Sequence, residues 1–118
     1  MSGRDDATPL DRGELEQASL GDAAFERELL VEFLAGSQAL IAELGEALAA
    51  RDAQELGRAA HSLKGSCWTI GARPMGRACE LLEADAREGR LDGAGAAIDR
   101  IREHLVQVES HVRRLWAL

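Results

Sequence analysis

Tyrosine is absent from the 118 residues, proline occurs only twice, and aromatic residues amount to 3%. A chain so poor in sheet-favouring rings, and so rich in alanine, leucine, glutamate and arginine, is expected to fold as helices. The two cysteines, Cys67 and Cys79, show no C-x-x-C spacing. They read as small core residues in a reducing compartment rather than as a disulfide framework. No apolar run approaches the roughly 18 residues that a membrane span needs. The polar, acidic residues 1–9 are unlike a signal peptide, so a cytoplasmic location is expected, with no membrane as partner. Basic charge is also in short supply. Lys and Arg total 14 against 21 Asp and Glu, for a net charge of −7. Without a basic stripe to neutralise phosphates, nucleic acid is not an expected partner.

What is present is helical periodicity with well-placed stops. Residues 1–9 read as a loose, flexible N-terminal tail and residues 10–118 as one helical domain. Asp11 caps a short first helix over residues 11–19, with Glu14 as its capping-box partner. Asp22 caps a second helix that runs to about residue 50, with Phe25, Leu29, Phe33, Leu40, Ile41, Leu44 and Leu48 at helical spacing. Gly36 and Gly45 weaken it, each by about 1 kcal/mol against alanine, but the stripe continues through both. Asp52 caps a third helix that ends at Gly71, with Leu56, Ala59, Ala60, Leu63, Cys67 and Ile70 inward. Pro74 in a first turn opens a fourth helix near residue 73, carrying Met75, Ala78, Leu81 and Leu82 and stopping by Gly89. A last helix over 96–116 alternates steps of three and four through Ile98, Ile101, Leu105, Val108, Val112 and Leu115. The fold class expected is all-α: an antiparallel four-helix bundle with a short N-terminal lid helix.

The third helix carries the candidate chemistry. Projected at about 100° per residue, His61 falls nearly opposite the Leu56–Ile70 stripe, flanked by Gly57, Arg58, Lys64, Gly65 and Trp68. An exposed histidine in mid-helix is ordinary by itself. Glycines one turn before and one turn after it are not, because each is costly in a helix interior. Gly57 and Gly65 would leave the imidazole open to a partner's backbone or side chain. Lys64, three residues on, could attract a phosphate, and Ser66 could donate a hydrogen bond to it. Arg58 and Trp68 would add charge and apolar area for docking. Imidazole suits phosphoryl carriage because it is nucleophilic near neutral pH and its N–P bond stays transferable.

The run His61-Ser62-Leu63-Lys64-Gly65-Ser66, followed after four residues by Gly71-Ala72, resembles the histidine-containing phosphotransfer (HPt) domain family of two-component phosphorelays. Leu10-Asp11, Phe33 and Leu82-Glu83 extend the resemblance over about residues 10–116; Cys67 and Trp68 depart from the small residues usual there. The resemblance implies that His61 takes a phosphoryl group on Nε2 from a receiver-domain aspartate and passes it to a response-regulator receiver domain. It implies further that the chain is a carrier without catalytic activity of its own. No cofactor is expected on this chain, and Mg²⁺ is expected in the receiver domain. A monomer is expected, and the chain's beginning at Met and ending soon after its last helix favour a freestanding protein. Two other readings stay open: a helical adaptor that uses no phosphate, and the phosphorylatable domain of a chemotaxis-type histidine kinase. His104 and His111, seven residues apart, lack the i, i+4 spacing of a metal pair, so no metal site is expected. The acidic residues from Glu80 to Glu88 are expected to form a solvated face.

Overall fold

A computed structural model describes residues 8–116. These form five helices and no strand: α1 (Arg12–Ser19), α2 (Ala23–Ala49), α3 (Ala53–Ile70), α4 (Arg73–Arg87) and α5 (Ala94–Trp116). Three of the starts are set by aspartate. The side chains of Asp11, Asp22 and Asp52 accept hydrogen bonds from the backbone N–H of Glu14, Phe25 and Glu55 at 3.1, 3.0 and 3.0 Å. Each bond satisfies a donor that the first turn would otherwise leave unpaired. Glu14 does not complete its box; its carboxylate is paired with Arg73 at the start of α4. α4 has no side-chain cap and relies on Pro74 in its first turn.

The links between the long helices are short, at residues 50–52, 71–72 and 88–93. Helices joined so tightly and packed side by side must run antiparallel. α2 lies against α3, α3 against α4, α4 against α5, and α5 returns against α2, which closes the four-helix bundle. α1 lies across α2 and α3, as expected of a lid. Its Leu15, with Leu10 just before it, is fully buried. Leu30, Leu44, Leu56, Leu63, Met75, Leu82, Ile101, Val108 and Val112 fill the interior, each contributing about 1.5–3 kcal/mol through removal from water.

The inward stripes differ in places from their sequence reading. On α4 the buried positions are Met75, Gly76, Ala78, Cys79, Leu82, Glu83 and Ala86, while Leu81 is 64% exposed. At about 100° per residue these positions share one arc of the helix, and 81 falls outside it. Phe25 and Leu115 are also exposed, one in the first turn of α2 and the other in the last turn of α5. The end of α5 is anchored elsewhere. Trp116 donates its indole N–H to Glu26, and the Arg12 guanidinium lies 5.2 Å from the ring centroid.

Cys67 and Cys79 are free and buried. Contact with Cys79 and burial push the Cys67 thiol well above its ordinary pKa, so it remains protonated. Of the expected tail, residues 1–7 lie outside the described residues, while Thr8 and Pro9 are half-buried. Among the described residues no helix is long and apolar enough to cross a membrane.

Candidate functional site

α3 presents His61 outward from the middle of its 18 residues. The core stripe Leu56, Ala59, Ala60, Leu63, Cys67 and Ile70 is buried on the opposite side, and the imidazole is 62% exposed. Of the three histidines, His61 alone is exposed; His104 and His111 are half-buried, and burial is the main cause that lowers the pKa of each.

Beneath His61 lies a residue that the pattern of acidic side chains misplaced. Glu83 of α4 is not on a solvated face but only 3% exposed. Its Oε2 stands 2.9 Å from His61 Nδ1 and 2.5 Å from an Arg87 guanidinium nitrogen, and its Oε1 is 2.7 Å from Lys64 Nζ. Burial alone would push the carboxyl pKa up. Contacts with Lys64 and His61, and the charges of Lys64 and Arg87, outweigh burial and hold it below the ordinary carboxylate value. The physical reason for the misplacement is register. Position 83 continues the inward arc through Cys79 and Leu82, and three cationic or N–H partners make a buried carboxylate tolerable there. A glutamate in phase with an apolar stripe was the available signal.

An ionised carboxylate only accepts hydrogen bonds, so His61 Nδ1 must carry the proton. In the neutral ring the lone pair is then on Nε2, which has no hydrogen-bond partner among the described residues. Because the folded carboxyl binds its proton less readily than the unfolded one, its stabilising contribution is full above the ordinary carboxylate range. That contribution is lost as pH falls through the folded pKa. Glu83→Gln is accordingly expected to lower the melting temperature at pH 7, with the gap from wild type narrowing as pH falls below the ordinary carboxylate range. A gap that stays constant from pH 7 to 3 would show that Glu83 titrates like a free acid.

The other residues picked from the sequence divide between this cluster and elsewhere. Gly57 and Arg58 line a groove of about 530 Å³ beside His61, together with Ala53, Gln54, Ala86, Arg87 and Gly89. Arg58 is held there by Glu43 at 2.6 Å and Glu55 at 2.5 Å. A Cβ at Gly57 would only make ordinary contact with Ala86, 3.5 Å away. Lys64 is drawn down onto Glu83, with its side chain 20% exposed. Ser66 turns back to the carbonyl of Ser62 at 3.3 Å and borders a separate hollow with Phe33 and Leu29. Trp68 lies over Gly76 on α4, where a Cβ would come within 3.1 Å of its ring. The indole therefore covers a helix crossing, although it is 38% exposed.

Gly65 behaves differently from Gly57. A Cβ there would meet nothing within 4 Å. Gly65→Leu should raise stability by up to about 1 kcal/mol, while its bulk, one turn beyond His61, slows phosphoryl transfer. A lower melting temperature with transfer unimpaired would contradict the open space around Gly65.

The cluster can thus hold a neutral imidazole with its reactive nitrogen outward, over a buried carboxylate and between cations. Comparison with known proteins identifies the family. The model of the Hpt domain matches residues 28–111. The fold superposes on histidine-containing phosphotransfer protein B (HptB) from Pseudomonas aeruginosa with a TM-score of 0.85 and 31% identity, covering 90% of this chain and 92% of that one. The HPT domain of a sensor hybrid histidine kinase from Shewanella shares the fold, with a TM-score of 0.74 at 20% identity over 92% of this chain and 94% of that one. A search of curated proteins gave no match. With most of its length matched by the family model and a 31%-identical relative spanning nine-tenths of it, the chain belongs to the Hpt domain family, the histidine phosphotransfer carriers of phosphorelays.

Proposed function

We propose that His61 is the phosphoacceptor of this carrier and that Nε2 is the accepting atom. The observation that carries the reading is the pairing of an exposed imidazole, through Nδ1, with the buried carboxylate of Glu83. The lone pair of Nε2 attacks the phosphorus of a receiver's aspartyl phosphate. A P–N bond forms, and the P–O bond to the aspartate breaks, with the electron pair leaving on the carboxylate. Positive charge that develops on the ring is stabilised by Glu83, which keeps hold of the Nδ1 proton. The reverse sequence delivers the group to the next receiver. Lys64 acts chiefly on Glu83, keeping it ionised, rather than as the direct phosphate ligand expected from its spacing. Ser66 has no part in this cluster and remains a candidate only for contact with a docked partner.

Family members work with the receiver domains of hybrid kinases and response regulators, and we assign this chain partners of that class, acting as a cytoplasmic monomer. The chain is a carrier without independent catalysis in this reading. Mg²⁺ belongs to the receiver. The groove beside His61 is bordered by Arg58 and Arg87, and the one buried carboxylate already has three partners, so the donor set does not fit a divalent cation.

The test is to incubate the protein with a panel of phosphorylated receiver domains and map the label. Acid-labile, base-stable phosphate confined to the peptide containing His61 is expected. Label on another residue, or none with any receiver, would overturn the assignment.

A further inference from the structure

Arg87 is the residue of the cluster that both contacts Glu83 and borders the groove beside His61. Its guanidinium contacts Glu83 Oε2 at 2.5 Å, the same oxygen that His61 Nδ1 uses. Its side chain is nevertheless 69% exposed, against 20% for Lys64. It also lines the groove that opens beside His61. Arg58, the other arginine of the groove, is tied to Glu43 and Glu55. Lys64 is pulled inward on the other carboxylate oxygen.

Charge then decides what happens on phosphorylation. With a neutral imidazole, Glu83, Lys64 and Arg87 sum to one net positive charge. A phosphoryl group brings about −1.5 to −2, so the cluster becomes net negative and two anions compete for its cations. A guanidinium offers five N–H donors in a planar fork suited to phosphate oxygens, and the contact with Glu83 occupies one of its nitrogens. Long, exposed and, among the described residues, paired only with Glu83, Arg87 is the cation able to turn.

Resting on the assignment of His61 as phosphoacceptor, we propose that Arg87 is a phosphate-sensing ligand: paired with Glu83 at rest, it turns to the phosphoryl group once that group is on Nε2. Lys64 stays behind and keeps Glu83 ionised. The turn converts the presence of phosphate into a changed surface at the groove, where a receiver domain would read it.

The experiment loads the full chain with phosphoramidate. Its P–N bond breaks, ammonia leaves, and the phosphoryl group bonds to Nε2. The titration of the phosphoryl group is then followed by ³¹P NMR at low salt. A cation in contact favours the dianion. Arg87→Ala should raise the proton affinity of the phosphoryl group about five- to tenfold, and Arg87→Lys should recover part of the shift. About 0.5 M salt should shrink it, since the contact is exposed. A structural role exercised through Glu83 alone would vanish in a Glu83→Gln background; the proposed role persists there or grows, because Arg87 is released. Equal phosphoryl titration in wild type and Arg87→Ala, or an effect lost with Glu83→Gln, would overturn the proposal. Absence of phosphohistidine at position 61 in the wild type would instead remove the assignment of His61 on which it rests.

Discussion

His61→Gln is expected to accept no phosphoryl group from any receiver domain while keeping the helical fold. Glutamine has no nucleophilic ring nitrogen, so the loss is complete rather than graded. Its amide N–H₂ can still donate to Glu83, and the position is 62% exposed. The stability change should therefore stay within about 1 kcal/mol, a single hydrogen bond's net worth. Circular dichroism and the melting temperature check the fold, and transfer of radiolabel checks the chemistry. Residual acid-labile label on the variant would point to His104 or His111. Both are half-buried, and His111 has a buried Nε2 without a hydrogen-bond partner. Neither offers an open nitrogen over a carboxylate, which is why label on them is not expected.

A large effect of another kind is expected at Gly71. It closes α3 in the left-handed region at φ 80°. A Cβ there would stand 2.9 Å from the carbonyl oxygen of Asp11 and 3.0 Å from Cβ of Glu14. The close approach exists because the N–H of Asp11 donates to the Gly71 carbonyl at 2.8 Å, seating the lid on the end of α3. Gly21 provides the control, with φ 75° and nothing within 4 Å of a Cβ. Gly21→Ala should cost only the left-handed strain, about 1 kcal/mol. Gly71→Ala adds displacement of the lid and should cost about 2–4 kcal/mol, lowering the melting temperature by roughly 10 °C or more. Equal melting temperatures for the two variants would mean that α1 is not seated on Gly71 as described.

Much of this architecture was legible because local chemistry and periodicity agree. Asp11, Asp22 and Asp52 are helix caps by residue type and by position, and all three cap. Gly71 ends α3 where only glycine is comfortable. The outward aspect of His61 follows from the apolar stripe of its own helix. Glu83 was not legible in the same way. Its role depends on a contact across 22 residues of sequence, between two helices whose mutual rotation is a property of packing. Lys64 and Ser66 show the same limit. Spacing put both near His61 along the helix, but a buried partner on α4 draws Lys64 down, and the backbone of α3 itself takes up the Ser66 hydroxyl. Trp68 shares the exposed face of α3 in projection, but its ring leans over Gly76. Arg58 is where the projection put it, with two glutamates that only the tertiary structure brings to it.

The two-residue connection at 71–72 acts as a phase setting between α3 and α4. Each residue of a helix advances its face by about 100°. One residue inserted in the helical turn that follows it would turn Glu83, Arg87 and the floor of the groove more than a quarter-turn away from His61. Beyond Gly89 no residue of the 88–93 connection lines the groove, and its length governs only where α5 begins. Length variation is therefore expected to disturb the site less after Gly89 than at the start of α4. In this sense the spacing from His61 to Glu83 is as much a part of the site as the two side chains.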